Sequence, residues 1–338
     1  MPSILMLVLL TAAIPGHRDW GKIPKQCESC HVGHGIPGMK LSPVDEPDLC
    51  LRCHGGPAQA TEMVKQGFLS VSARPQDMSR EMGMPSLHNN LKSCSACHAG
   101  HGIIPSGYTP GKSPKPGTKR TNQFEYELCA SCHGSNPIFQ SPASFHSVRT
   151  LPKSGSFPSL KPGGMGAQTW INCSDCHGVS DPTLPPGVHA SANSHLLKYN
   201  DQTLDGQAES VSAYAQCYAC HDRNSILQNE SFSLHQAHIV NGMTSCYTCH
   251  DSHAGRTLPH LLAIEDESRN DRISPDLHGR KTYAQTGDLA GVCYLTCHGV
   301  NHDGWAYGPK ASLRKQGLTV PGPHRRSAVI PISRDTKK

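Results

Sequence analysis

The chain has 338 residues, a formal charge of +5, 36% hydrophobic and 5% aromatic residues, 32 Gly and 27 Pro, which is too little apolar side chain for a conventionally packed interior. Sixteen cysteines and 22 histidines argue against a merely disordered chain and for a scaffold whose core is filled by something other than side chains. The charge sits at one end: Lys310, Arg314, Lys315, Arg325, Arg326, Arg334, Lys337 and Lys338 against Asp335 give the tail +7 and the body −2, and with only Trp305 and Tyr307 nearby the tail reads as a solvated arm, not a nucleic-acid surface.

In chain order, residues 1–13 carry an apolar run from Ile4 to Leu10 followed by small residues. They are expected to be an export signal cut near Ala13, incomplete in lacking a basic n-region. The run is too short to span a bilayer and no later segment approaches that length. The mature chain is therefore expected outside the cytoplasm, extracellular or periplasmic, without a transmembrane span.

The cysteines follow in pairs: Cys27 and Cys30 before His31, Cys50 and Cys53 before His54, Cys94 and Cys97 before His98, Cys129 and Cys132 before His133. The second half continues with Cys173 and Cys176 before His177, Cys217 and Cys220 before His221, Cys246 and Cys249 before His250, and Cys293 and Cys297 before His298. Seven are CxxCH, the last is CxxxCH, and no cysteine is left over. C-x-x-C-H is the attachment pattern for c-type haem: two thiols a short turn apart add across the vinyl groups of one porphyrin, and the next residue offers an imidazole to the iron. Zinc also uses CxxC pairs but does not require a histidine after each second cysteine, and a thioredoxin-like thiol pair needs only one CxxC. Eight covalently attached haems are the expected cofactors.

Fourteen histidines remain as candidate sixth ligands: His17, His34, His88, His101, His146, His189, His195, His235, His238, His253, His260, His278, His302 and His324. His34, His101 and His253 each lie three residues after a motif histidine, on the same side of a helical turn, so each is expected to ligate a haem other than its own. His88, His146, and His235 or His238 precede motifs, as does His17. Of His189 and His195 inside the third unit, His195 is the favoured candidate. The iron ligands expected beyond the motifs are thus His34, His88, His101, His146, His195, His235, His238 and His253.

The first cysteines of alternate motifs, Cys27, Cys94, Cys173 and Cys246, recur after 67, 79 and 73 residues, which divides residues 14–306 into four tandem two-haem units ahead of a basic tail at 307–338. Residues 105–118 and 152–166 read as irregular loops. Motif segments are expected as single turns, with short helices at 191–199 and 228–240 and no strand alternation. Each porphyrin would supply the missing apolar surface.

The segment Cys27 to Gly35 with Leu49 to Gly55, repeated at 94–102 with 128–134 and at 246–255 with 293–299, resembles the doubled-CXXCH family of multihaem cytochromes. The third pair departs, lacking a histidine three after His177. The resemblance implies a multihaem cytochrome c fold: mostly irregular coil with short helices wrapped round a chain of stacked haems, little or no β-sheet, and bis-histidine irons in alternating parallel and T-shaped pairs. It implies partners that donate and accept electrons, either periplasmic or at an extracellular acceptor, and, among some relatives, self-assembly into a conductive filament.

Two functions are weighed. In the first, the chain is no enzyme but an electron carrier, whose irons form a wire. Each haem adds about −1 when oxidised and about −2 when reduced, so the holo-protein charge would fall from +5 to about −3 and then about −11, and each electron makes the next harder to add. In the second, the chain is an octahaem reductase of a small nitrogen or sulfur oxyanion, which needs one open iron. All eight motifs end in histidine, which favours the carrier, and the CxxxCH site at His298 is the place to look for an exception.

Overall fold

The computed structural model describes residues 17, 19–32, 42–88, 94–98, 123–140, 142–148, 157–161, 171–267 and 273–308. The proposed signal segment and most of the basic tail lie outside these, as do His34, His101 and His324.

Helices are short because the chain offers few amphipathic runs. They are α1 (Asp48–His54), α2 (Pro57–Lys65), α3 (Ser79–Met82), α4 (Gln123–His133), α5 (Cys173–Cys176), α6 (Ala215–Tyr218), α7 (Arg223–Leu227) and α8 (Cys246–Cys249). Tight 3-10 turns at Gln26–Ser29 and Cys94–Ala96 carry the first and third motifs. The helices expected at 191–199 and 228–240 shrink to a 3-10 turn at Ser194–Leu196 and a π-turn at Ala237–Asn241.

Two miniature ladders join distant parts of the chain. Strand β1 (Ser86–Leu87) pairs antiparallel with β3 (Ala190–Ser191), and β2 (Ser144–Phe145) with β4 (Ala254–Gly255). Ala190, Ser191 and Ala254 are almost fully buried. The small side chains let the backbones approach closely where a longer residue would have to be accommodated.

The C-terminal region is a four-stranded antiparallel sheet of β5 (Ile273–Ser274), β7 (Ala290–Cys297), β6 (Thr282–Gly287) and β8 (Val300–Tyr307), in which β7 pairs with the other three. This sheet is more than the coil-and-helix expectation allowed. Its residues explain it: Thr282, Tyr283, Val292, Tyr294, Leu295, Thr296, Trp305 and Tyr307 are β-branched, aromatic or apolar, and His298 and Gly299, with φ of 49° and 76°, close the β7–β8 hairpin with two left-handed residues. One face packs Tyr283, Leu295, Tyr307 and Ile273 against Leu258, Ile264 and Phe232. Smaller clusters form around Tyr214, Tyr218 and Ile239, and around Ile138, Val148 and Ala254.

Candidate functional site

The first seven motifs share one local shape, a helical turn. The backbone N–H of the motif histidine donates to the carbonyl of the first cysteine in the first, third, fifth, sixth and seventh motifs: His31 to Cys27 at 2.9 Å, His98 to Cys94 at 2.8 Å, His177 to Cys173 at 2.9 Å, His221 to Cys217 at 3.0 Å and His250 to Cys246 at 2.9 Å. A single helical turn puts both thiols on one side and the imidazole at its end. The second and fourth motifs end α1 and α4. The eighth differs: its extra residue lets Cys293 and Cys297 lie in strand β7, on the same face because they are four apart.

No cysteine is in a disulfide. The thiols meet in a repeating order. Cys50 contacts Cys94, Cys129 contacts Cys173, and Cys217 contacts Cys246, so the second motif of each unit touches the first motif of the next. Burial and then Cys94 push the Cys50 thiol up to about 12. Within units, Cys53 feels Cys30, Cys97 feels Cys132, Cys176 feels Cys220 and Cys249 feels Cys297, each held above its ordinary value mainly by burial.

Carboxylates join the units at the same places. Glu46 accepts from the Ser95 N–H at 2.9 Å. Glu125 accepts from the Ser174 N–H at 2.5 Å and its hydroxyl at 2.9 Å. Asp205 accepts from the Ser245 N–H at 2.8 Å and the Thr248 hydroxyl at 2.6 Å. Each carboxylate precedes the second motif of its unit and holds the opening turn of the next unit's first motif, where free N–H groups favour an anion. Sequence reasoning missed them, although a signal was present: Glu46 and Glu125 both stand four residues before a first cysteine.

The imidazoles come in twos. Ring centres are 6.0 Å apart for His54 and His17, 5.8 Å for His98 and His189, 6.0 Å for His133 and His88, 5.9 Å for His177 and His253, and 6.5 Å for His221 and His146. In each pair one member belongs to a motif and the other does not. Two metal–nitrogen bonds of about 2 Å, with about 1 Å from each nitrogen to its ring centre, put axial imidazoles on one iron about 6 Å apart. The residues therefore fit the group that the motifs imply.

Tautomers agree with that fit. Nδ1 faces a backbone carbonyl in His54 (Gln76, 2.8 Å), His146 (Ser252, 2.7 Å), His177 (His195, 2.9 Å) and His250 (His260, 2.9 Å). A carbonyl can only accept, so Nδ1 carries the hydrogen and Nε2 keeps the lone pair a metal needs. Burial also disfavours the charged form of His17, His88, His98, His146 and His177, lowering each below its ordinary value. His221 falls to about 4 through burial and then His146 and His250.

The ladders do the positioning. His88 follows β1 and His189 precedes β3, while His146 follows β2 and His253 precedes β4. Each ladder thus presents two histidines to the two motifs of one unit. The favoured His195 is not one of them. Its carbonyl accepts from His177, and the ring that reaches a motif imidazole is His189, because the β1–β3 ladder fixes that residue beside His88.

The seventh and eighth motifs are arranged differently. His235 is lowered to about 3 by burial and then by the charge of the seventh motif histidine, His250, and its ring packs edge-on against Phe232. His298 Nε2 is 3.3 Å from Asp205 Oδ2. His238 and His302 form a further pair at 6.3 Å that contains no motif histidine, with Nδ1 of His238 on the Leu234 carbonyl at 2.8 Å and that of His302 on the Val300 carbonyl at 3.1 Å. His278 pairs with Asp303 at 3.0 Å.

A family model described as the doubled CXXCH motif matches residues 23–59, which span the first unit from before Cys27 to beyond His54. No curated protein and no solved structure matches the chain. The chain thus carries a c-type haem-binding motif pair, of the kind that points to covalent haem and electron transfer. Among the described residues no helix is long and apolar enough to cross a membrane.

Proposed function

We propose that the chain is an octahaem c-type cytochrome that carries electrons along closely packed bis-histidine haems. The observation that carries this reading is the set of five motif imidazoles, each facing a non-motif imidazole at 5.8–6.5 Å. The haems supply reversible one-electron storage. The chain's own residues hold each porphyrin by two thiols, offer neutral Nε2 atoms on both faces, and set the spacing between neighbours through the Cys50–Cys94, Cys129–Cys173 and Cys217–Cys246 contacts. His17, His189, His88, His253, His146 and His235 serve as sixth ligands for the irons of His54, His98, His133, His177, His221 and His250, in that order.

In this reading the protein works outside the cytoplasm between a redox donor and an acceptor, and copies joined end to end extend the wire into a filament. Haem quantification by pyridine haemochrome with intact mass tests it: eight haems per chain and a wholly low-spin ferric spectrum are expected, and fewer than eight would sink the octahaem count. Imaging at high concentration tests the filament, which a population of monomers alone would contradict.

One observation favours a second reading, an octahaem reductase. His298 faces Asp205 rather than a second imidazole, leaving room for an iron with an open position. A high-spin ferric signal together with turnover of nitrite or tetrathionate would favour it.

A further inference from the structure

Glu81, on α3, is fully buried, and both its carboxylate oxygens lack a hydrogen-bond partner. The nearest opposing group is Nδ1 of His189, 3.5 Å from Oε1 and itself without a hydrogen bond. The adjacent cation does not serve it: Arg80 turns away to Asp181 at 2.6 Å. Removing a carboxylate from water without a counter-charge is among the costliest things a fold can do. Such a group persists when something positive stands beyond its neighbour.

A second carboxylate stands in a similar place. Asp251 Oδ1 accepts the His253 backbone N–H at 2.8 Å and lies 3.6 Å from Nδ1 of the same residue. His189 and His253 occupy equivalent places, each just before the second strand of a ladder and each facing the first motif histidine of a unit, His98 or His177. By contrast, His146, which faces the second motif histidine of the third unit, has a neutral carbonyl at Nδ1 and feels Asp251 only through space. Within that unit His177 is also backed by a carbonyl, so the two irons would differ in what stands behind the non-motif ligand.

We propose that Glu81 and Asp251 set the potentials of the haems held by His98 and His177, lowering them relative to their unit neighbours so that potentials alternate along the wire. This rests on the octahaem reading above. A carboxylate behind an axial imidazole makes the ring a stronger donor and adds negative charge close to the iron. Both effects stabilise the ferric over the ferrous state, because the ferric iron carries one more positive charge. The same iron charge completes the pairing that buried Glu81 otherwise lacks.

The test is a spectroelectrochemical titration of the full haem-loaded chain with Glu81→Gln and, separately, Asp251→Asn, after haem count and spin state have been measured. Both variants are expected to keep eight low-spin haems while one component of the titration moves to higher potential in each. A curve superimposable on the parent, with all eight haems present and low-spin, overturns the proposal. Conversion of a haem to high spin makes the carboxylate a structural prop and also overturns it. The more exposed Asp251 gives an independent reading where the Glu81 variant fails to fold, and a parent chain without eight haems fails the functional reading instead of this one.

Discussion

The backbone N–H of His88 donates to the carbonyl of His189 at 2.9 Å, although the two residues are about a hundred positions apart and their rings face different motifs. His88 looks at His133 and His189 at His98. One backbone bond therefore fixes the spacing between two proposed ligand positions of the second unit.

Removing either ring should affect one haem and spare the other. His189→Ala is expected to convert the haem of Cys94 and Cys97 to high spin, and His88→Ala that of Cys129 and Cys132, each leaving seven of the eight haems low-spin. Electron paramagnetic resonance on chains with a full haem count measures this. Loss of two low-spin signals in either single variant would contradict the pairing.

Breaking the ladder itself should affect two haems together. Ser191 is fully buried in β3, donates its hydroxyl to the Leu197 carbonyl at 2.6 Å and accepts from the Asn193 N–H at 2.9 Å. Ser191→Pro removes the backbone donor from a strand and with it any ladder hydrogen bond that N–H makes, which is why proline is confined to edges and bulges of sheets. Both ligands of the second unit should become displaced, seen as two haems changing spin state and a lower thermal midpoint. A change confined to one haem would mean that the two histidines are held independently.

Glu125 tests the junction between units. Glu125→Ala orphans the Ser174 N–H and hydroxyl and should cost about 1–3 kcal/mol in a denaturant titration. Glu125→Gln retains an acceptor and should cost less. Burial raises the Glu125 pKa, with the Ser174 hydrogen bonds opposing in part. A carboxyl raised on folding binds its proton more tightly in the folded chain, so its contribution is full below the ordinary glutamate range and declines as pH rises through the folded value. The stability of the parent relative to Glu125→Gln should accordingly fall with rising pH across that window. A pH-independent difference would refute the assignment.

The chemistry of attachment was legible because it is local: two thiols and an imidazole must be adjacent, and the spacing is written in the sequence. The pairing of imidazoles is only partly written in the sequence. Of the expected ligands, His88, His146 and His253 lie beside motif rings, as does His189, whereas the expected His195 offers His177 only its carbonyl. The ladders that decide between them are two residues long and leave no periodic signal. The sheet at 273–307 was overlooked for a related reason. Its alternation includes Cys293 and Cys297, residues whose attachment motif suggested a turn, whereas the added residue puts both thiols on one face of an extended strand. The carboxylates at Glu46, Glu125 and Asp205 were hidden because their partners are backbone N–H groups in the next unit.

The eighth site is where repetition makes its most exposed claim. In the first three units the imidazole facing the second motif comes from upstream of the first motif: His17 before Cys27, His88 before Cys94, His146 before Cys173. In the fourth unit His235 and His238 occupy that stretch. His235 feels the charge of His250. His238 is left for the eighth, near the β7–β8 hairpin: it stacks on Phe232, which packs against the same buried cluster as Cys293 and Cys297, and its ring centre is 6.3 Å from His302 of β8. His238→Ala should therefore leave eight attached haems with one converted to high spin, and His235→Ala should do the same to a different haem, so that the double variant shows two. If His238→Ala keeps all eight low-spin, the eighth iron takes its sixth ligand from elsewhere and the upstream rule ends with the third unit.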